Sequence, residues 1–258
     1  DNLINSKNKK KYNLFKNDFK INIKIDQTYL DKNNIMNNLK GYLKYNNNKI
    51  YESKLESSFS NNKKIRFTVN TDNGAIITTL YTDVAKPFVD RYKFIKGFDE
   101  GNLDFYSTKK NNISNSTLKI DNFKVQEVPI LAKLLTLASL QGIADLLTGE
   151  GIRFTDFEMK FSNQKKLMRI EEMYAIGPAI SILMDGYIEQ DKLISLRGTL
   201  VPATTINRTI SSIPLVGKIL VGKKVGEGVF GVSFKIKGPP KKLKTTVNPV
   251  KTLTPRFI

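Results

Sequence analysis

The sequence contains no cysteine, no histidine and no tryptophan. Without Cys or His, Ser-His-Asp and Cys-His catalysis cannot be assembled within this chain. Zinc sites built on those side chains, haem or iron–sulfur ligation through them, and a disulfide framework are excluded as well. Carboxylate, Lys or Ser-Lys chemistry stays open, as does Mg²⁺ or Ca²⁺ held by oxygens. Long apolar runs are also missing. A membrane helix needs ~20 apolar residues, and the nearest approach, Ile130–Leu147, is interrupted by Lys133, Gln141 and Asp145. No signal peptide is visible. The chain opens on Asp1 rather than Met, which reads as a piece of a longer or processed protein.

The 258 residues suggest one or two domains, long enough to bury a core. A hydrophobic content of 40%, with 15 Phe and 10 Tyr, argues against disorder. Basic residues dominate, 42 Lys+Arg against 24 Asp+Glu, for a net charge of +18. Such a balance raises nucleic acid or an anionic membrane as partners. The excess is spread evenly, however: residues 1–122 hold 22 basic and 13 acidic groups, and residues 123–258 hold 20 and 11. A nucleic-acid footprint is a concentrated patch or stripe, so the favoured reading is a solvated, Lys-rich surface. The densest runs are Lys9-Lys10-Lys11, Lys63-Lys64, and Lys241-Lys242 with Lys244. Asn is equally skewed, with 22 of 25 in residues 1–122.

Alternation of apolar and polar residues is the main structural signal. Phe19, Ile21, Ile23 and Ile25 share one face of the first such segment, while Lys20, Asn22, Lys24 and Asp26 take the other. Ile65, Phe67 and Val69 repeat the pattern. These are half-buried strands with one wet face. Further strands are expected at Asn38–Tyr45, Ile50–Ser58, Ala75–Tyr81, Asn102–Thr108 and Ser116–Val125. The second half adds Gly151–Ser162, Lys166–Ala175, Ala179–Glu189, Lys192–Leu200, Gly228–Lys237 and Thr245–Asn248. Turn residues such as Asn61-Asn62, Asp72-Asn73-Gly74 and Lys110-Asn111-Asn112 separate them. A weak repeat, Gly-x-Leu/Ile followed by a polar turn and a strand ending in Leu, recurs from Gly41, Gly101 and Gly186, each time as a hairpin. The expected fold is mainly β: a curved, elongated antiparallel meander of some twelve strands with an apolar concave groove. Sheets grown by adding hairpins expose edges.

Two segments break the alternation. Pro129–Gly151 reads as helix, started by Pro129, stopped near Gly149 and divided at Gly142. Thr204–Gly222 reads as one or two short helices around Pro214. These helices, near 129–149 and 204–220, are too short to cover a long apolar sheet, and an uncovered patch beyond a few hundred Å² marks a ligand or partner. The groove candidates are Phe19, Ile21, Ile23, Ile65, Phe67, Val69, Phe105, Ile180, Ile182, Val232 and Phe234. Leu134, Leu137 and Leu140 are expected to point inward together from an end-capping helix, with Leu131, Leu135 and Ala138 on a second buried flank.

Other motifs carry less. Gly217–Lys224 nearly matches a phosphate-binding loop, but Lys224 stands where Ser or Thr would bind Mg²⁺, and the loop interior is apolar. Acidic pairs at Asp99-Glu100, Glu171-Glu172 and Asp156/Glu158 read as surface charge rather than glycosidase carboxylates. Lys-flanked aromatics at Phe15-Lys16 and Tyr92-Lys93-Phe94 read as core residues rather than a base-stacking platform. No catalytic constellation, metal site or cofactor is expected, so the chain reads as a non-enzyme.

A family resemblance rests on the second half. The segments that carry it are Gly101–Ser107, Leu118–Phe154, Gly177–Asn207, Ile213–Pro239 and Val247–Pro255. In order and kind they resemble the C-terminal region of the AsmA family, the group that includes YhdP and TamB, across roughly residues 82–255. Residues 1–81 suit that family's strand repeats, and Pro255-Arg256-Phe257 stands where the family has Pro-Gly-Phe. The resemblance implies a bacterial envelope protein in the periplasm, anchored in the inner membrane by an N-terminal helix that this sequence does not contain. It implies a β-groove whose apolar face carries phospholipid between inner and outer membranes in support of outer-membrane biogenesis. Phospholipid and the two membranes or their proteins are the expected partners. The alternatives are a structural scaffold in envelope assembly and a basic polyanion or nucleic-acid binder.

Overall fold

The computed structural model describes residues 18–46, 49–91, 96–202, 231–240 and 242–250. Thirteen strands form a single sheet, each hydrogen-bonded to the next in chain order. They are β1 (Phe19–Tyr29), β2 (Ile35–Asn46), β3 (Lys49–Phe59), β4 (Lys64–Asp72), β5 (Ala75–Thr82), β6 (Lys96–Lys110) and β7 (Ile113–Gln126). After two helices follow β8 (Ile152–Gln164), β9 (Leu167–Ile176), β10 (Ile180–Glu189), β11 (Leu193–Pro202), β12 (Gly231–Gly238) and β13 (Lys244–Val250). Every pairing is antiparallel. Among the described strands β1 does not pair with β13, so the sheet stays open. Each strand expected from alternation is present among the described residues, that at Gly228–Lys237 from Gly231 onward. Residues 81 and 82 both lie within β5, and the sheet runs on across them. The second helical segment, the near-match at Gly217–Lys224 and the Lys9–Lys11 run lie outside the described residues.

Turn chemistry accounts for the meander. Asn62, Asn73, Asn111, Asn112 and Asp191 all have positive φ, the left-handed backbone that Asn and Asp tolerate at hairpin turns. The repeated glycines have a different role. Gly41 and Gly186 sit within strands at φ 144° and 143°, beside shifts in pairing register. A Cβ there would collide with the backbone carbonyls of Lys54 and Ser195 on the neighbouring strands. Only glycine lets the strand bend that closely against its partner.

Three short helices accompany the sheet: α1 (Lys86–Val89), α2 (Pro129–Leu137) and α3 (Gln141–Thr148). Composition gave no signal for α1. The break in the long helical segment falls at Ala138–Leu140 rather than at Gly142, which lies inside α3. Ser139, at φ 58°, turns the chain there, and the Ala138 N–H caps the Leu134 carbonyl at 2.9 Å.

The helix pair shows which way the sheet curls. α3 lies against β7 and β8, while α2 reaches β13. Six strand spacings separate β7 from β13, about 29 Å if the sheet were flat. A nine-residue helix is only about 13.5 Å long. The sheet therefore wraps around the helices, and the face they sit on is the concave one. Leu131, Leu134, Leu135, Ala144 and Leu147 join Ile152, Phe154, Ile180, Leu200, Val232 and Phe234 in one packed cluster. Phe98, Phe123 and Phe154 stack through it at 5.4 Å between successive rings.

One inward-facing residue was misassigned. Leu137 is 49% exposed, although Leu134 is buried and Leu140 packs partly against the cluster. The buried stripe of α2 is Leu131, Leu134 and Leu135, with the half-buried Ala138 just past its end, and Leu137 lies about a third of a turn away from it. Leu135→Ala is expected to cost about 2–5 kcal/mol, whereas Leu137→Asp leaves the thermal midpoint near that of the native chain. Paired melts followed by circular dichroism check this. A large loss with Leu137→Asp would contradict the packing described.

Candidate apolar groove

Register builds the site. Ile23 faces Gly41, Gly41 faces Leu55, and the line continues through Phe67 and Leu80 to Phe105. It passes on to Leu118 and Met159, then to Met173, Met184 and Gly198. It ends at Phe234 and Val247. One unbroken row of apolar or glycine positions thus crosses all thirteen strands. Directly paired residues share a face of the sheet, so the row is a continuous strip on the concave side. A parallel row holds Ile65, Leu103, Ile120, Phe157, Ala175, Ile182, Leu200 and Val232.

All eleven groove candidates lie on this face. They do not share one environment. Ile180, Val232 and Phe234 are 0%, 1% and 3% exposed and belong to the core beneath α2 and α3. They are therefore core residues rather than lining of an open groove, because the helix pair closes that end. Phe105 and Ile182 pack at the margin of the same cluster. Ile65 and Val69 are buried, whereas Phe67 and Ile23 are half-buried. At the β1 end the strip opens: Ile21 is 45% exposed and Ile25 43%. Phe19 stacks on Tyr45 at 5.0 Å beside them. The residues that complete the strip, Leu55, Leu80, Leu118, Met159, Met173 and Met184, were visible only as members of alternating strands. Nothing local singles them out; cross-strand register does.

The other face is wet and carries charges of both signs. One row reads Lys24, Lys40, Glu56, Arg66, Tyr81, Asp104, Lys119, Glu158 and Tyr174 across nine strands. Glu158 is its most enclosed member. It accepts from Lys119 at 3.0 Å, Lys160 at 3.3 Å and the Tyr174 hydroxyl at 3.1 Å. Burial pushes the Glu158 carboxyl up, but the hydrogen bonds from Lys119, Tyr174 and Lys160 outweigh it and hold the group below its ordinary range. Burial, and then the bond to Glu158, raise the Tyr174 phenol. A second knot joins Tyr42 and Lys44 to Glu52 at 2.7 and 2.6 Å, with the Lys20 ammonium 4.8 Å from the Tyr42 ring centre. Of the acidic pairs seen in the sequence, Glu100 is clamped by Arg153 through two 2.7 Å bonds and Glu172 lies 3.5 Å from Lys160. No group of three or more metal-ligating side chains occurs among the described residues.

No family model matches the chain, and neither the curated proteins nor the solved structures yield a match. What the chain contributes is geometry: a curled sheet with an apolar inner strip, plugged at one end by two helices and exposed at the other.

Glu158→Ala is expected to destabilise the sheet by about 1 kcal/mol, since it removes the enclosed acceptor of the half-buried Tyr174 hydroxyl and of two lysine ammoniums that water can partly satisfy. The folded carboxyl titrates below the unfolded one, so this contribution is present above the ordinary carboxylate range. It is lost as pH falls through the depressed folded value. Chemical denaturation at neutral and acid pH checks it; native chain and variant should converge on acidification.

Proposed function

We propose that the concave strip binds or conducts phospholipid in the bacterial envelope, between the inner and outer membranes, without catalysing a reaction, and so supports outer-membrane biogenesis. The observation that carries this reading is the row from Ile23 to Val247, apolar or glycine at every strand and left partly open at β1. Each CH₂ that leaves water contributes about 0.8 kcal/mol, so such a strip can hold an acyl chain dry while its headgroup stays wet. Movement along the sheet needs sites of nearly equal energy. A repeated strip of Leu, Met and Phe supplies that better than one shaped pocket. The resemblance in residues 82–255 supports the same reading. The alternation of charge on the convex face, with many of its carboxylates tied to Lys or Arg, disfavours a dedicated nucleic-acid surface, which needs an uncompensated stripe of positive charge.

Photo-crosslinking amino acids placed at Ile21 and Phe67 are expected to capture phospholipid in cells, and the same groups at Lys20 and Arg66, on the opposite face, to capture little. Equal labelling at the four positions would refute the groove. Sub-micromolar binding of DNA at physiological salt would favour the polyanion reading instead.

A further inference from the structure

Exposed lysines gather at two adjacent turns on one rim of the groove. The hairpins β6–β7, β8–β9, β10–β11 and β12–β13 turn at one rim, while α2 and α3 occupy the other. On the hairpin rim, Lys109 and Lys110 end β6 just before one turn and Lys165 and Lys166 form the next, all four exposed. None of the four is in an ion pair among the described residues, and neither turn carries a carboxylate. Adjacent hairpins on one rim are two strand spacings apart, about 10 Å. At the opposite rim the segment joining β7 to β8 holds Glu127, Asp145 and Glu150 against Lys133 alone.

The concave face beneath those lysines is graded. Its outermost row carries Lys109, Ser114 and Asn163. The next inward carries Thr78, Ser107 and Ser116, with the two serine hydroxyls 2.9 Å apart. On β6 and β7 the apolar positions begin below these, with Phe105 and Leu118, while the flanking strands bring Ile76, Phe161 and Met168 into the outer rows. From Lys109 to Phe105 the strand runs about 13 Å, so a headgroup at the rim leaves its acyl chains at the half-buried row of Phe105 and Leu118. Cation, hydroxyl and hydrocarbon therefore follow one another down β6 as Lys109, Ser107 and Phe105, in the order of a lipid's own chemistry, while β7 beside it runs Ser114, Ser116 and Leu118.

We propose that the β6–β9 hairpin rim holds the phosphate of an anionic glycerophospholipid, its ester oxygens near Ser107 and its acyl chains on the half-buried row of Leu80, Phe105 and Leu118. This rests on the phospholipid reading above and adds a headgroup class and an orientation to it. Unpaired lysines with no carboxylate between them favour a net negative headgroup. A zwitterionic headgroup brings its own cation, which finds no partner there.

The test incubates the full chain with vesicles of equal parts phosphatidylcholine and phosphatidylglycerol, then reads captured lipid by native mass spectrometry. The native chain is expected to take phosphatidylglycerol with about tenfold preference. A variant with Lys109→Glu, Lys110→Glu, Lys165→Glu and Lys166→Glu should capture as much lipid in total but with no preference. The milder pair Lys165→Gln and Lys166→Gln should lower the preference by a smaller factor, and serves if the first variant does not fold. Inorganic phosphate, against chloride of equal ionic strength, should leave the ratio unchanged; its collapse would make the rim a free-anion site and overturn the proposal. Capture of the two lipids at their input ratio by the native chain, or a preference that survives both variants, would overturn it too while leaving the groove standing. Capture of neither lipid would overturn the groove itself and this proposal with it.

Discussion

Everything in this structure depends on cross-strand register. Thirteen strands pair only with their chain neighbours, and each pairing places an apolar residue or glycine opposite another. A slip of one residue anywhere would carry every side chain beyond it to the other face. The bulges near Asn38, Glu171 and Asp185 are tolerated because the alternation resumes in phase after each of them. The inner strip is thus a property of the whole ladder rather than of any segment.

The ladder alone would make a long, twisted ribbon with both ends wet. The helix pair between β7 and β8 changes that at one end. Leu135 and Leu147 are fully enclosed there, along with Ile180 and Leu200, so the curl is held by ordinary close packing. At the β1 end Ile21 and Ile25 keep much of their surface in water. The result is polarity along the sheet, one end a domain core and the other an open trough. On one rim, exposed lysines gather at the β6–β7 and β8–β9 turns.

Net charge is a poor guide to such a molecule. The +18 excess suggests a polyanion binder when read as a single number. In the fold, Lys119 and Lys160 converge on Glu158 and Lys44 on Glu52, while Lys109, Lys110, Lys165 and Lys166 project from turns. Position therefore separates lysines that hold the convex face together from lysines free to meet a ligand.

Much of the fold was legible beforehand because its signals are local. Alternation in Phe19–Ile25 or Ile65–Val69 follows from a strand having one wet face, and Asn-rich turns follow from the φ their positions demand. Pro129 and the Leu-rich run after it mark a helix by the same kind of short-range rule. The sequence by itself thus determined the strands, their turns, the helix pair and the apolar character of one face. It could not determine which strand's apolar residues meet which, that Leu137 points outward while Leu135 is enclosed, or that Ile180, Val232 and Phe234 are core while Ile21 is open. Those outcomes depend on the curl that brings β13 back to α2. Contacts between residues more than a hundred positions apart leave no periodic trace in the chain, so only the tertiary structure decided them.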